Sequence, residues 1–244
     1  MITNQTDDEW EIIFQRAHAL LAAKLVTYWR PEDRPLRWTE TLNAVAQHDN
    51  GWQEWEAGER LTDAGAPRNF MQLPLPEVVI QGERVVTRAW HQSMWVGLLV
   101  SRHISHLHER RRGALASLDD LLDEQIELRE KWRAALDVSR EDVDRAYSLL
   151  RWGDSFSLIL CMQRLPVDER AVEIERGPDG QRYDVFQRTD GVVVVQPWPY
   201  DRDSFRVSVD CHYLTQATFA DDDELAQALR QAQVRQRVWE LRRA

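Results

Sequence analysis

Apolar residues recur at spacings of three and four through most of the first 165 residues, a pattern typical of amphipathic helices. Residues Thr6 to Glu9 form a capping-box pattern ahead of one such run, and prolines or glycines follow several others. We therefore predict helices over residues 6–29, 39–51, 85–112, 117–136 and 139–164. Segment 57–84 holds three prolines and three glycines, and we predict a long loop there, which is often functional in a compact domain.

The spacing changes after Pro166, where apolar and polar residues alternate. This period of two predicts strands, with turn signals between them, over residues 172–175, 183–187, 192–196 and 205–213. From Asp221 to the C-terminus the pattern is helical again. The predicted fold class is mainly α. An all-helical body covers residues 1–165, and a small antiparallel β-meander with a closing helix covers residues 166–244 and packs on the body.

Composition narrows the environment and the partners. The net charge of -10 would repel a phosphate backbone, so we expect no long nucleic acid as a partner. The N-terminus has no basic segment before an apolar run, and no apolar stretch approaches the ~20 residues that span a bilayer, so we expect no membrane partner. Cys161 and Cys211 are the only cysteines and are expected to be reduced thiols. These features predict a cytoplasmic protein, and the oligomeric state stays open.

Polar residues interrupt the apolar faces of four predicted helices. His18, Asp49, His103 and Asp154 each continue a run of apolar residues at helical spacing, and His48 stands beside Asp49. Burying an unpaired carboxylate costs roughly several kcal/mol, and two buried carboxylates close together repel each other. A divalent cation resolves both problems, because it supplies positive charge and takes neutral imidazole and ionised carboxylate as ligands.

The order of these residues resembles a known superfamily. His18, then the pair His48-Asp49, then a late helical Asp154 follows the order seen in the HD-domain metal-dependent phosphohydrolases. A closer likeness, which covers nearly the whole chain, is to a family of uncharacterised bacterial proteins related to that superfamily. It rests on the motifs HDNGW at 48–52, LLVSRH at 98–103, WGDSFSLILC at 152–161 and PWPY at 197–200. The likeness to the superfamily itself covers the helical body alone.

The resemblance implies an HD-domain-like body and a metal-dependent hydrolase. Its cofactor would be a divalent metal (Mn, Fe, Zn or Mg), present as one or two ions held by His18, His48, Asp49 and Asp154. The substrate would be a small phosphomonoester or phosphodiester, attacked by water that the metal activates. Asp49 and His103 are the implied catalytic residues. Asp49 would bridge two metals if a second is present, and His103 would bind a second metal or steady the phosphate or the leaving group.

Two other functions stay open. A di-iron oxygenase on the same scaffold would need an additional inward histidine, for which His91 and His106 are the candidates. A non-catalytic binding protein would have kept the polar core without the chemistry. In that case the His48-Asp49 pair would be no more than the polar end of a helix.

Two further features have both a functional and a structural interpretation. The run Arg110-Arg111-Arg112 suits a substrate phosphate, because guanidinium pairs well with it, although charge runs at helix C-termini are usually solvated. The high tryptophan content predicts either an aromatic wall for a ring or ordinary core packing, with Trp52, Trp55, Trp90 and Trp95 as the candidates.

Overall fold

A computed structural model describes residues 1–6, 8–53 and 60–244. The helices are α1 Gln15–Val26, α2 Trp38–Gln47, α3 Leu75–Trp90, α4 Met94–His108, α5 Ala116–Leu136, α6 Arg140–Cys161 and α7 Asp222–Gln231. Short 3-10 helices span Pro31–Asp33, Phe70–Gln72 and Glu109–Arg111. The strands are β1 Ile2–Gln5, β2 Trp10–Ile13, β3 Val172–Arg176, β4 Arg182–Gln187, β5 Val193–Gln196, β6 Ser204–Leu214 and β7 Gln233–Arg242. No described helix has the length and apolar character that crossing a bilayer requires.

The described strands form one sheet in the order β1-β2-β6-β7-β5-β4-β3. Strands β5 and β7 run parallel, and the other neighbours are antiparallel. The prediction of a helical HD-like body with a small C-terminal sheet is therefore wrong, because this seven-stranded mixed sheet draws strands from both ends of the chain. The four strands predicted after Pro166 are present as β3 to β6, and they make up only part of the sheet.

The N-terminal segment corrects the predicted helix over residues 6–29. The Thr6 hydroxyl accepts a hydrogen bond from the Glu9 backbone N–H at 3.1 Å, as the capping-box pattern predicts. The Thr6 N–H also donates to the Glu9 carbonyl at 2.9 Å, so the same residues close the turn of a hairpin between β1 and β2. Ser and Thr hydroxyls bond nearby backbone in turns as well as at helix ends. The helix itself begins at Gln15.

The C-terminal segment corrects the predicted closing helix. Helix α7 ends at Gln231, and the next ten residues form β7, which pairs with β6 from Ser204↔Arg242 to Tyr213↔Gln233. Strand β7 is mostly polar, so its local pattern favours helix as readily as strand. Its position between β6 and β5 is decided by pairing, which is the usual way that tertiary context overrides propensity.

The predicted loop over residues 57–84 is in part a helix. Helix α3 starts at Leu75, with Pro74 as its N-cap and a proline in its first turn, where proline favours a helix start because its missing N–H needs no partner. The predicted helix over residues 85–112 is two helices. Helix α3 ends at Trp90, and Ser93 caps helix α4 by accepting a hydrogen bond from the Trp95 N–H at 3.1 Å.

Close helix packing brings the site together. An added Cβ at Gly153 on α6 would lie 3.1–3.3 Å from Val26, Ala22 and Val45, so the missing side chain lets α6 approach α1 and α2. Trp152 on α6 joins the helices to the sheet. Its ring centroid lies 5.9 Å from that of Tyr183 on β4 and 4.9 Å from that of Trp29. These contacts fix α6 between the sheet and the other helices.

Candidate metal centre

Five polar side chains from four helical segments meet at one buried point. His18 lies on α1, His48 is the C-cap of α2 with Asp49 directly after it, His103 lies on α4 and Asp154 lies on α6. The three histidines are 1–2% exposed, and the side chains of the two aspartates are 13% exposed. The structure thus brings together every residue that the sequence predicted for the site.

The nitrogen and oxygen atoms of these side chains lie close to one another. His18 Nε2 lies 2.7 Å from Asp49 Oδ2 and 4.0 Å from Asp154 Oδ1. His48 Nε2 lies 3.4 Å from Asp154 Oδ1 and 3.7 Å from Asp49 Oδ2. His103 Nε2 lies 3.8 Å from Asp154 Oδ2. Ligands around an ion with bonds of ~2.1 Å lie roughly 3.0–3.4 Å apart, so small side-chain shifts would accommodate a cation.

His48 is oriented as a metal ligand. Its Nδ1 lies 2.7 Å from the Val45 carbonyl, which can only accept, so Nδ1 carries the proton of that hydrogen bond. In the neutral ring Nε2 then has its lone pair available. This atom is buried without a hydrogen-bond partner among the described residues. The backbone carbonyl fixes the orientation of the ring through Nδ1, as in many metal sites. The buried Nε2 then faces two carboxylates, an arrangement that suits a cation.

His18 is held by a similar chain of hydrogen bonds. The Ser157 hydroxyl donates its one hydrogen to the Asp154 backbone carbonyl at 2.8 Å. It must therefore accept from His18 Nδ1, which lies 2.8 Å away. His18 Nε2 then faces Asp49 Oδ2 at 2.7 Å with its lone pair, and either a further proton or a metal ion must lie between these two acceptors. The donor set therefore fits a divalent cation.

The electrostatics of the group keep both carboxylates charged and favour positive charge on His48. Burial raises the pKa of Asp154, but the nearby histidines, His48 first, lower it well below its ordinary value. The pKa of Asp49 is also lowered, because His48 and His18 outweigh burial. Burial lowers the pKa of His48, but Asp49 and Asp154 raise it to about 9. At His103 burial dominates and lowers the pKa to about 4. The carboxylates thus remain charged and draw positive charge into the core.

Helix α3 positions the His48-Asp49 turn from outside. Arg84 Nη1 donates to the Gly51 carbonyl at 2.9 Å, and Arg88 Nη1 donates to the Asn50 carbonyl at 2.6 Å. These carbonyls follow the end of α2, where helical partners are missing. An added Cβ at Gly51 would lie 2.6 Å from the Gln81 carbonyl, so glycine lets α3 approach the turn.

A cleft of about 200 Å³ opens onto the site. His18, Asp49, His103 and Asp154 line its base. Its walls are mainly apolar, with polar groups at a few points, and are formed by Gln15, Trp52, Phe70, Met71, Leu73, Val78, Gln81, Ile104, Leu107, His108, Arg111 and Leu158. A mostly apolar cleft with a few convergent polar groups is the usual form of a small-molecule site.

Sequence reasoning missed two residues of this site, Tyr147 and Gln81. Tyr147 lies on the apolar stripe of Asp154, and its hydroxyl lies 3.3 Å from His103 Nδ1. Gln81 is buried in the cleft wall, but the sequence placed it in a loop. Tyr147 could have been found from the sequence, because a tyrosine at a core position usually needs a hydrogen-bond partner for its hydroxyl. Gln81 could not, since its segment was predicted to be a loop.

The remaining candidates have separate outcomes. His91 and His106 are exposed, and neither belongs to the groups of potential ligands among the described residues. Arg111 lines the cleft, and Arg112 pairs with Glu109 and Asp123 on the surface.

The tryptophans also divide. Trp52 lines the cleft and donates to Asp49 Oδ1 at 3.2 Å. Trp95 is buried in the core, and Trp90 is half exposed. Trp55 lies outside the described residues. Of the three candidate tryptophans among the described residues, only Trp52 contributes to the cleft wall.

Fold and site define a helical and β-sheet protein with a buried histidine–aspartate centre under a cleft. The chain belongs to the family described as Protein of unknown function (DUF3891), whose model matches residues 1–216. Neither a curated protein nor a solved structure was found to match the chain. These comparisons support the predicted uncharacterised family and provide no link to the HD-domain superfamily.

Proposed function

We propose that the protein is a metal-dependent hydrolase of HD type that acts on a phosphomonoester or phosphodiester. The observation that supports it most is the convergence of His18, His48, Asp49 and Asp154, with the buried Nε2 of His48 facing both carboxylates. Two imidazoles and two carboxylates are ligands suited to Mn, Fe or Zn, and the carboxylates also suit Mg. The order of these residues along the chain adds the resemblance to the HD-domain phosphohydrolases.

One or two divalent cations would be held by these four residues, with His103 available beside Asp154. Such a cation, when bound, lowers the pKa of water and stabilises charge on phosphoryl oxygens. Ser157 and the Val45 carbonyl orient the two ligating rings. His103, oriented by Tyr147, would steady the phosphate or the leaving group.

The cleft favours a substrate with an apolar part next to its phosphate. Phe70, Leu73, Ile104 and Leu158 line the walls above the site. Burying apolar surface there would contribute roughly 25 cal/mol per Å² to binding. Arg111 also lines the cleft and would pair with a phosphoryl oxygen.

The di-iron oxygenase gains no support from the described residues. It requires a further inward histidine, and both candidates, His91 and His106, are exposed. An experiment distinguishes the non-catalytic hypothesis from the hydrolase. If the protein is not a catalyst, the histidine and aspartate side chains of the site contribute to stability alone.

The test compares His48→Ala with His91→Ala, an exposed histidine outside the site. Protein purified without a metal-binding tag is analysed for bound metal and assayed on panels of phosphomonoesters and phosphodiesters with added manganese, iron, zinc or magnesium. We expect near-stoichiometric metal and metal-dependent hydrolysis in the wild type and in His91→Ala. His48→Ala should lose both and keep its circular dichroism spectrum.

Two results would contradict the proposal. One is less than about a tenth of an equivalent of metal in the wild type, with no activity rescued by any of these ions. The other is a His48→Ala variant that keeps full metal content and differs from the wild type only in stability, which would favour the non-catalytic hypothesis.

A further inference from the structure

A second cleft, which shares no lining residue with the first, lies between α4, α5 and the start of α6. Its volume is about 260 Å³. Four arginines dominate its lining, which consists of Leu98, Arg102, Arg129, Glu130, Arg133, Arg140, Val143 and Asp144. Such a density of guanidinium groups is unexpected in a chain of net charge -10.

The two carboxylates of this cleft are already paired. Glu130 contacts Arg133 at 2.8 Å and Arg140 at 3.0 Å, and Asp144 contacts Arg102 at 3.5 Å. Arg129 forms no ion pair with any carboxylate of the described residues. Its Nη1 donates to three neutral acceptors on α4, namely the carbonyl and hydroxyl of Ser101 and the hydroxyl of Ser105. Four cations therefore face two anions.

This excess of positive charge is held in a partly desolvated place. Burial and the neighbouring Arg102 lower the pKa of Arg129 to about 10. The Nε of Arg133 is buried without a hydrogen-bond partner among the described residues. A partly desolvated cation that no carboxylate contacts directly, such as Arg129, costs free energy, and a bound anion would recover part of it.

We propose that this arginine cleft binds a small phosphate-bearing anion, of the class of inorganic pyrophosphate or the diphosphate of a nucleotide. One guanidinium group can donate two parallel hydrogen bonds to phosphoryl oxygens. Several guanidinium groups together therefore match a ligand that carries many such oxygens. The volume of the cleft suits a diphosphate and not a folded partner. The proposal is independent of the metal centre and of the reaction proposed there.

Pyrophosphate is the probe, and isothermal titration calorimetry of the full chain in chelator-containing buffer is the measurement. Arg129→Gln and Arg140→Gln test the cleft. The side chain of Arg140 is 74% exposed, so its replacement is not expected to affect folding. Arg102 is left unchanged, because its guanidinium lies 5.4 Å from the centre of the Tyr147 ring, next to His103.

Two variants serve as matched controls. Arg145→Gln removes an exposed arginine on α6 that does not line the cleft, and Arg111→Gln removes the arginine of the metal-site cleft. We expect one pyrophosphate-binding site in the wild type. In Arg129→Gln the affinity for pyrophosphate should fall by about tenfold or more. Binding in Arg140→Gln should weaken several-fold, and neither control should change it.

Three results would overturn the proposal. One is no heat of binding at millimolar pyrophosphate. Another is equal weakening in Arg145→Gln, which would indicate diffuse attraction to surface charge. The last is loss of binding in Arg111→Gln with Arg140→Gln unchanged, which would locate the anion in the other cleft.

Discussion

His18 Nε2 lies 2.7 Å from Asp49 Oδ2, although the two residues are 31 positions apart and belong to different helical segments. The Nδ1 of the same ring lies against Ser157, a hydroxyl whose hydrogen is already donated elsewhere. A proton or a cation must therefore lie between His18 and Asp49. Most of the proposed chemistry depends on which of the two occupies this place.

Asp49→Asn should abolish stabilisation by metal. A ligand present at 100 times its Kd stabilises the folded state by about 2.7 kcal/mol, roughly 5–10 °C in Tm for a chain of this size. We expect a rise of that order when manganese or zinc is added to chelator-treated wild type, and none in Asp49→Asn. Thermal denaturation followed by circular dichroism measures it. Asp63→Asn, an exposed aspartate outside the site, is the control and should behave as the wild type. An equal rise in Asp49→Asn would show that the metal binds elsewhere.

Ser157→Ala should weaken metal binding without removing a ligand. The hydroxyl accepts from His18 Nδ1 and so fixes the ring. Loss of such a partner typically weakens metal affinity about 10–100-fold, and the lost hydrogen bond costs roughly 1 kcal/mol of stability. Competition with a chromophoric chelator gives the affinity. Ser148→Ala is the matched control, because Ser148 lies on the same helix and, among the described residues, its hydroxyl bonds only the Arg145 carbonyl. If both variants bind metal alike, Ser157 has no role in orienting the ring.

Gly51→Ala should disturb both the fold and the site. A Cβ there would lie 2.6 Å from the Gln81 carbonyl and 2.8 Å from Val85 Cβ, so α3 must shift. Overpacking of this kind costs about 1–3 kcal/mol. We expect a lower Tm together with a lower metal content. Gly180→Ala separates the two effects, because that Cβ meets nothing within 4 Å and only the positive φ of 76° is strained. It should lower Tm and leave metal content unchanged; a Gly51→Ala protein with full metal content would contradict the positioning role of α3.

Arg237→Met tests the strand assignment of both chain ends. Glu11 on β2 is 1% exposed and contacts Arg237 on β7 as well as the Tyr213 hydroxyl at 2.9 Å. Removing one partner of a buried ion pair leaves the other charge unpaired and costs about 3–5 kcal/mol. Urea denaturation should show a loss approaching that size. Arg235→Met, at a half-exposed position on the same strand, should cost less than 1 kcal/mol. Equal effects would mean that the buried pair is not formed.

Local sequence was sufficient for the elements that bury one face by themselves. Helix α5 starts within one residue of its predicted position, and α6 begins directly after Ser139, the first residue of the predicted helix, which caps it. Prediction from the local sequence failed where one residue pattern is compatible with two structures. The hydrogen bond of Thr6 to Glu9 is the same in a helix cap and in the turn that forms, and nothing nearby distinguishes them.

The candidate site shows the same division. His18, His103 and Asp154 could be named because each interrupts the apolar face of its own helix, and that face is encoded within a few turns. Gln81 could not, because a proline-rich start concealed the helix on which it lies.

The sequence by itself determined that His18, His103 and Asp154 interrupt the apolar faces of the helices that carry them. Only the tertiary structure decided that they meet at one point, and that both chain ends are strands of a single sheet. The physical reason is range. Helical periodicity is complete within about four residues, but β2 and β7 are joined through contacts such as that of Glu11 with Arg237, 226 residues apart, which no local pattern specifies.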